Sequence, residues 1–152
     1  MSSLVEVTGE NFPEFQGDIL EIERISFPSP WDLNSFSSEI DRSISHLWTL
    51  LIDEVLKGYI CFWIFANETH LMNIAVQPEW RSKGLGKGLL CKMIEVGISK
   101  GAKTAWLEVR PSNLVARSLY EKAGFKEVGF RPRYYKETNE DAIIMSLPLL
   151  SA

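Results

Sequence analysis

Apolar positions in the first part of the chain recur every three to four residues. Phe15, Ile19, Ile22 and Ile25 form one stripe behind a start signal at Asn11 and Pro13, and this spacing predicts an amphipathic helix. A short strand, residues 4–8, precedes it. Pro28 and Pro30 flank Ser29 and end the helix, because proline neither donates an amide nor continues the turn. Asp32 is placed to cap a second short helix reaching Arg42, with Leu33, Phe36 and Ile40 on one face. The period then changes. Residues 46–52 and 57–66 read as strands joined by a turn at Asp53-Glu54, and Asn67-Glu68 turns the chain into a third, residues 69–76. Three strands with tight turns predict an antiparallel meander. A glycine-rich turn then opens a long helix carrying Leu85, Leu89, Met93, Val96 and Gly97 and ending near Lys100. Residues 104–109 form a strand. Residues 114–123 form a helix closed by Gly124, which suits the left-handed terminating position. Residues 126–134 and 141–147 are a last pair of strands.

The order β-α-α-β-β-β-α-β-α-β-β predicts an α/β protein, a mixed but mostly antiparallel seven-stranded sheet with helices on both faces. The 152 residues, 45% hydrophobic, suit a single domain over residues 1–152. A net charge of −4 argues against direct nucleic-acid binding, which usually shows a basic excess. No apolar run approaches the ~20 residues that cross a bilayer, and the N-terminus lacks the charged-then-apolar pattern of a secretory signal. A cytoplasmic monomer is expected. The two cysteines, Cys61 and Cys91, are far apart and are expected to be buried and reduced. His46 and His70 have no metal-ligand spacing around them, so no metal is expected.

The candidate chemistry begins at the turn Arg81-Ser82-Lys83-Gly84-Leu85-Gly86-Lys87-Gly88. A glycine turn that opens a helix presents free N–H groups at the positive end of the helix dipole, an arrangement that binds phosphate oxygens. A Walker A turn is excluded, because Gly84 follows Lys83 and no hydroxyl follows Lys87. A dinucleotide fingerprint is excluded by position, since the turn follows a meander rather than a first strand. Taken alone, the glycines could equally serve tight packing.

The longer segment from Asn73 to Gly86 resembles the acetyl-CoA signature of the GNAT N-acetyltransferase superfamily. A second stretch, Asn113-Leu114-Val115-Ala116-Arg117-Ser118-Leu119-Tyr120-Glu121-Lys122-Ala123-Gly124-Phe125, is similar to that superfamily's Asn-x-x-Ala-x-x-Leu-Tyr-x-x-x-Gly-Phe pattern. The resemblance implies that Ile74, Ala75 and Val76 run beside the pantetheine arm of acetyl-CoA. It implies that Arg81, Ser82, Lys83, Gly84, Leu85, Gly86 and Lys87 form the loop around the diphosphate, and that Asn113 lies near the cofactor while capping its helix.

Acetylating an amine requires a base for the ammonium proton and benefits from a proton for the departing thiolate. Glu108 is the candidate base. It shares one face of its strand with Trp106, and a carboxylate there is costly unless paired, hydrated or functional. From the residues alone it could also be a sheet-end acid bonded to Arg110. Tyr120 is the candidate acid, although its helical spacing by itself describes a core tyrosine. The resemblance favours the functional role for both, with carboxylate and phenol expected together on one side of the sheet.

Within the superfamily the chain most resembles the ribosomal-protein-alanine N-acetyltransferases of bacteria. The likeness runs through Phe27–Trp31, with Ser-Pro inserted, through Leu107-Glu108-Val109-Arg110, and through Arg131-Pro132-Arg133-Tyr134-Tyr135. It implies an acceptor that is the N-terminal alanine of a small-subunit ribosomal protein, gripped between the loop after the first helix and the last strand pair. Trp31, Tyr134 and Tyr135 match the aromatic positions of that groove. The alternatives are a GNAT enzyme acting on lysine side chains or small amines, and a non-catalytic acyl-CoA-binding module.

Overall fold

The computed structural model describes residues 1–136 and 138–149. Strand β1 (Ser2–Val7) leads into helices α1 (Phe12–Ser26) and α2 (Leu33–Asp41). The meander follows as β2 (Ser45–Ile52), β3 (Val55–Phe65) and β4 (Glu68–Val76). A single 3-10 turn, Pro78–Trp80, leads to α3 (Leu85–Ser99), β5 (Thr104–Val109), α4 (Leu114–Lys122), β6 (Lys126–Tyr135) and β7 (Glu140–Pro148). Every expected element is present, with ends within a residue or two of those expected. The second hairpin turn is centred on Ala66 and Asn67, at φ +50° and +64°, one residue earlier than expected. Two successive left-handed residues match the twist of the strands they join.

The seven strands lie in the order β1-β2-β3-β4-β5-β7-β6. All neighbours are antiparallel except β4 and β5. Helices α3 and α4 cover one face, where Leu89, Met93, Tyr120 and Phe125 pack with Ile60, Phe62 and Leu107. Helices α1 and α2 cover the other, where Phe15, Ile19, Ile22 and Phe36 meet Leu47, Tyr59 and Cys61. The α1 stripe departs from expectation at its end. Ile25 is 45% exposed and Glu23 is the buried residue in its place, at 1%.

The feature that positions the site is the failure of β4 and β5 to stay together. They pair only at Glu68–Thr104, Thr69–Ala105 and His70–Trp106. Opposite β3, Leu71 faces Phe62 and Asn73 faces Cys61, which leaves Met72 as a bulge. An extra residue bends its strand, and from this point β4 leaves β5. A slot opens between residues 71–76 and 107–109.

Cys61 is buried as expected, and burial pushes its thiol up to about 12. Cys91 is not buried. It lies on the outer face of α3, exposed, because the buried stripe of that helix runs through Leu89, Leu90, Met93 and Gly97. No helix among the described residues is long and apolar enough to cross a membrane.

Candidate active site

The turn before α3 sits beside the end of β4. Gly84 is the N-cap of α3 at φ +82°, and no side chain caps the helix. A residue with a Cβ is strained in that conformation. Gly88 N–H bonds the Gly84 carbonyl, so the open donors are those of Leu85, Gly86 and Lys87. Ser82 is also left-handed, at φ +64°, and Lys83 and Lys87 are exposed. Uncapped N–H groups at a helix N-terminus, flanked by two lysines, fit a diphosphate.

Two parts of this loop differ from expectation. A Cβ on Gly86 would stand 3.1 Å from the Leu119 side chain, so the absence of a side chain here lets α3 approach α4, while its N–H stays among the open donors. Arg81 is already engaged. Its Nε donates to the Val76 carbonyl at 3.0 Å and its Nη2 to the Ser26 hydroxyl at 3.1 Å. It clamps the end of β4 to the last turn of α1. Ile74, Ala75 and Val76 lie where β4 has lost its β5 partner, as a strand that accompanies an extended ligand must.

Glu108 lies in β5 opposite Ile144 of β7. Its side chain is 29% exposed, yet Oε2 is out of contact with water and has no hydrogen bond among the described residues. Arg131 of β6 brings Nε to 3.1 Å from that oxygen. The N–H does not point at it, so the contact is Coulombic. Arg131 also lies 5.3 Å from the Tyr134 ring centre. Tyr120 is 5% exposed. Burial, and secondarily the neighbouring Tyr135, hold its phenol well above the ordinary tyrosine value. It is therefore a neutral O–H at physiological pH.

The carboxylate and the phenol do not share a side of the sheet. Ala105, Leu107 and Val109 of β5 pack with Tyr120 beneath α3 and α4. Strand alternation sends Glu108 to the α1–α2 face. In a continuous sheet the backbone would separate the two groups. Here β4 has already left β5 at the level of Glu108, so the two strands do not close the sheet between the groups.

Asn113 caps α4, its side-chain oxygen accepting from Ala116 N–H at 3.2 Å. Ser112 ties the same loop to β7 through Glu140. Trp31 packs on Phe36 with ring centres 5.2 Å apart. Tyr134 and Tyr135 meet edge to face at 5.1 Å, and Arg110 lies 4.5 Å above Tyr135. Arg110 thus leans on the β6 aromatics at the end of β5.

Three features were missed from the sequence. One is Arg131 as partner to Glu108, which depends on β6 pairing outside β7. The second is Gly58, where a Cβ would stand 2.9 Å from the Ala75 carbonyl, so β3 can lie close behind the site strand. The third is a buried set of Glu23, Tyr59 and Asn73. The hydrophobic period hid it, since Ile25 continues the α1 stripe in the sequence and Glu23 lies between its members. Among the described residues no cluster of His, Cys, Asp and Glu could hold a metal ion.

The pattern of the acetyltransferase (GNAT) family matches residues 17–125. The chain belongs to this family. It is 37% identical over 131 residues to the [ribosomal protein bS18]-alanine N-acetyltransferase of Salmonella typhimurium, covering 85% of this acetyltransferase and 88% of that one. The enzyme of the same name from Escherichia coli K12 is 37% identical over 130 residues, 84% and 87% of the two chains. The crystal structure of the E. coli ribosomal-protein-S18-alanine N-acetyltransferase superposes with a TM-score of 0.86 at 32% identity, covering 100% of this chain and 96% of that one. Arabidopsis thaliana NAA60 in complex with acetyl-CoA shares the fold at a TM-score of 0.84 and 14% identity, with 98% and 99% of the two chains covered.

Proposed function

We propose that this acetyltransferase moves the acetyl group of acetyl-CoA to the N-terminal α-amine of a protein, the acceptor being the N-terminal alanine of a small-subunit ribosomal protein in the cytoplasm. The observation that carries the reading is the slot. An uncapped helix N-terminus lies at its mouth, a carboxylate without a hydrogen bond to Oε2 on one face, and a buried neutral phenol on the other. The names of the bacterial relatives support the choice of acceptor.

The main-chain donors of residues 82–87, with Lys83 and Lys87, hold the diphosphate, and Ile74, Ala75 and Val76 run beside the pantetheine arm. Bound acetyl-CoA supplies the activated acetyl carbon and a thiolate leaving group. Glu108 takes a proton from the acceptor ammonium, directly or through a water. An α-amine, with an ordinary pKa of about 7.7–8.0, gives it up readily. The freed lone pair forms the C–N bond as the C–S bond breaks, Tyr120 donates its phenolic proton to the departing sulfur, and the second proton lost by the nitrogen restores the phenol through solvent. Trp31, Tyr134 and Tyr135 flank the acceptor, and Asn113 holds the start of α4 beside the slot.

The test is acetyl transfer to short peptides that differ in their first residue, read by mass spectrometry. Modification of the α-amine of an Ala-first peptide is expected. Preferential transfer to internal lysines or to free small amines would overturn the acceptor assignment.

A further inference from the structure

We propose that Glu23 is a positioning residue for the acceptor, one that fixes the loop after α1 against the slot strand β4. This rests on the reading above, in which that loop forms one wall of the acceptor groove. Glu23 is 1% exposed and has no cationic partner among the described residues. Its charge is met by three donors from three different segments. Tyr59 O–H of β3 reaches Oε1 at 2.5 Å, Asn73 Nδ2 of β4 reaches the same oxygen at 2.8 Å, and Trp31 N–H reaches Oε2 at 2.9 Å. A buried carboxylate is costly to keep, and an apolar group of the same size often serves stability as well. What three directional hydrogen bonds add is registry between the parts they join.

The parts joined are informative. Asn73 immediately follows the Met72 bulge, on the stretch of β4 that has left β5. Trp31 ends a loop in which Pro28 and Pro30 have no N–H. Among the described residues, the Trp31 N–H is the one hydrogen bond that residues 28–31 make to the rest of the fold. One carboxylate therefore sets the distance between the acceptor loop and the strand beside which the thioester is held. The Trp31 ring follows, packed on Phe36, and it also lines a groove of about 320 Å³ with Ser35, Ser38, Glu39 and Arg42.

The test compares Glu23→Ala and Glu23→Gln with the parent, using an Ala-first peptide and acetyl-CoA. Glu23→Ala is expected to raise peptide KM about tenfold, the scale of one well-placed hydrogen bond lost, with kcat and acetyl-CoA affinity within about twofold. Hydrogen exchange at the Trp31 amide should quicken in the same variant. Glu23→Gln is expected to keep KM near the parent's. Its carbonyl can accept from Trp31, while its amide donates to the Tyr59 oxygen and to a flipped Asn73. If Glu23→Ala does not fold, Glu23→Leu combined with Tyr59→Phe replaces the polar set by apolar groups of similar shape and should show the same KM rise. An unchanged KM in a folded, active variant overturns the role of Glu23, as does a loss confined to apparent kcat and acetyl-CoA binding capacity that merely tracks the folded fraction. A parent that transfers nothing to the peptide instead removes the functional reading, and this proposal with it.

Discussion

Glu108 Oε2 has an arginine beside it but no hydrogen bond, and the base role proposed above asks it to accept the acceptor's proton. Glu108→Gln keeps the shape and removes the basicity. Turnover is expected to fall by roughly 10²–10⁴ while acetyl-CoA binding, measured by calorimetry, stays intact. Near-parental turnover would dismiss it as the base. Tyr120→Phe should slow the chemical step with little change in peptide KM. Because burial raises the Tyr120 phenol above its ordinary value of 10.0, the kcat profile should show no alkaline fall from this group below about pH 10. An alkaline limb near pH 8 that vanishes in Tyr120→Phe would contradict this. At this scale the sequence was legible for residue type and less so for allegiance. Arg81 and Gly86 read as anion contacts because they sit in the turn. Only packing shows that one clamps β4 to α1 and the other admits Leu119.

The elements themselves were visible in the hydrophobic period, down to strand β5, whose limits match. What the period could not carry was the parting of β4 from β5. That depends on one bulged residue, Met72, in a run whose alternation looks ordinary. Glu108 and Tyr120, expected side by side, leave from opposite faces because Glu108 alternates with Leu107 and Val109, which pack with Tyr120. Buried acids were equally hard to foresee. Glu23 and Glu39 face the sheet from α1 and α2, each held by donors from other segments, Glu39 by Ser45 and Trp63. At this scale the turn before α3 is the place to perturb. Gly84→Ala forces a Cβ into a left-handed residue at a cost of about 1–2 kcal/mol, with open space around it. Acetyl-CoA affinity in isothermal titration should therefore weaken more than the melting midpoint suggests. Equal loss of both would mean that the cap matters only for folding.

For the whole molecule, the cosubstrate should act as a brace. Acetyl-CoA at about a hundred times its Kd is expected to add about 2.7 kcal/mol, a rise in melting midpoint of about 5–10 °C by scanning fluorimetry for a chain of this size. No shift would count against the CoA assignment. Stability should also fall in alkali. Tyr59 is held above its ordinary value by burial first and then by Glu23, and Tyr120 by burial and Tyr135. Both give stability that is fully present below about pH 10 and lost as pH rises through their folded values. The melting midpoint should therefore drop between pH 9 and 11.5, and less steeply in Tyr59→Phe.

In the function proposed above, the carboxylate and the phenol flank a parted strand pair from opposite faces, which would give donor and recipient separate doorways. Neither has to vacate the path of the other. Steady-state lines at varied concentrations of both should intersect, with either compound able to load onto the empty protein. A parallel pattern, the mark of an acetylated enzyme waiting for its second guest, would mean that the two doors are not used at once.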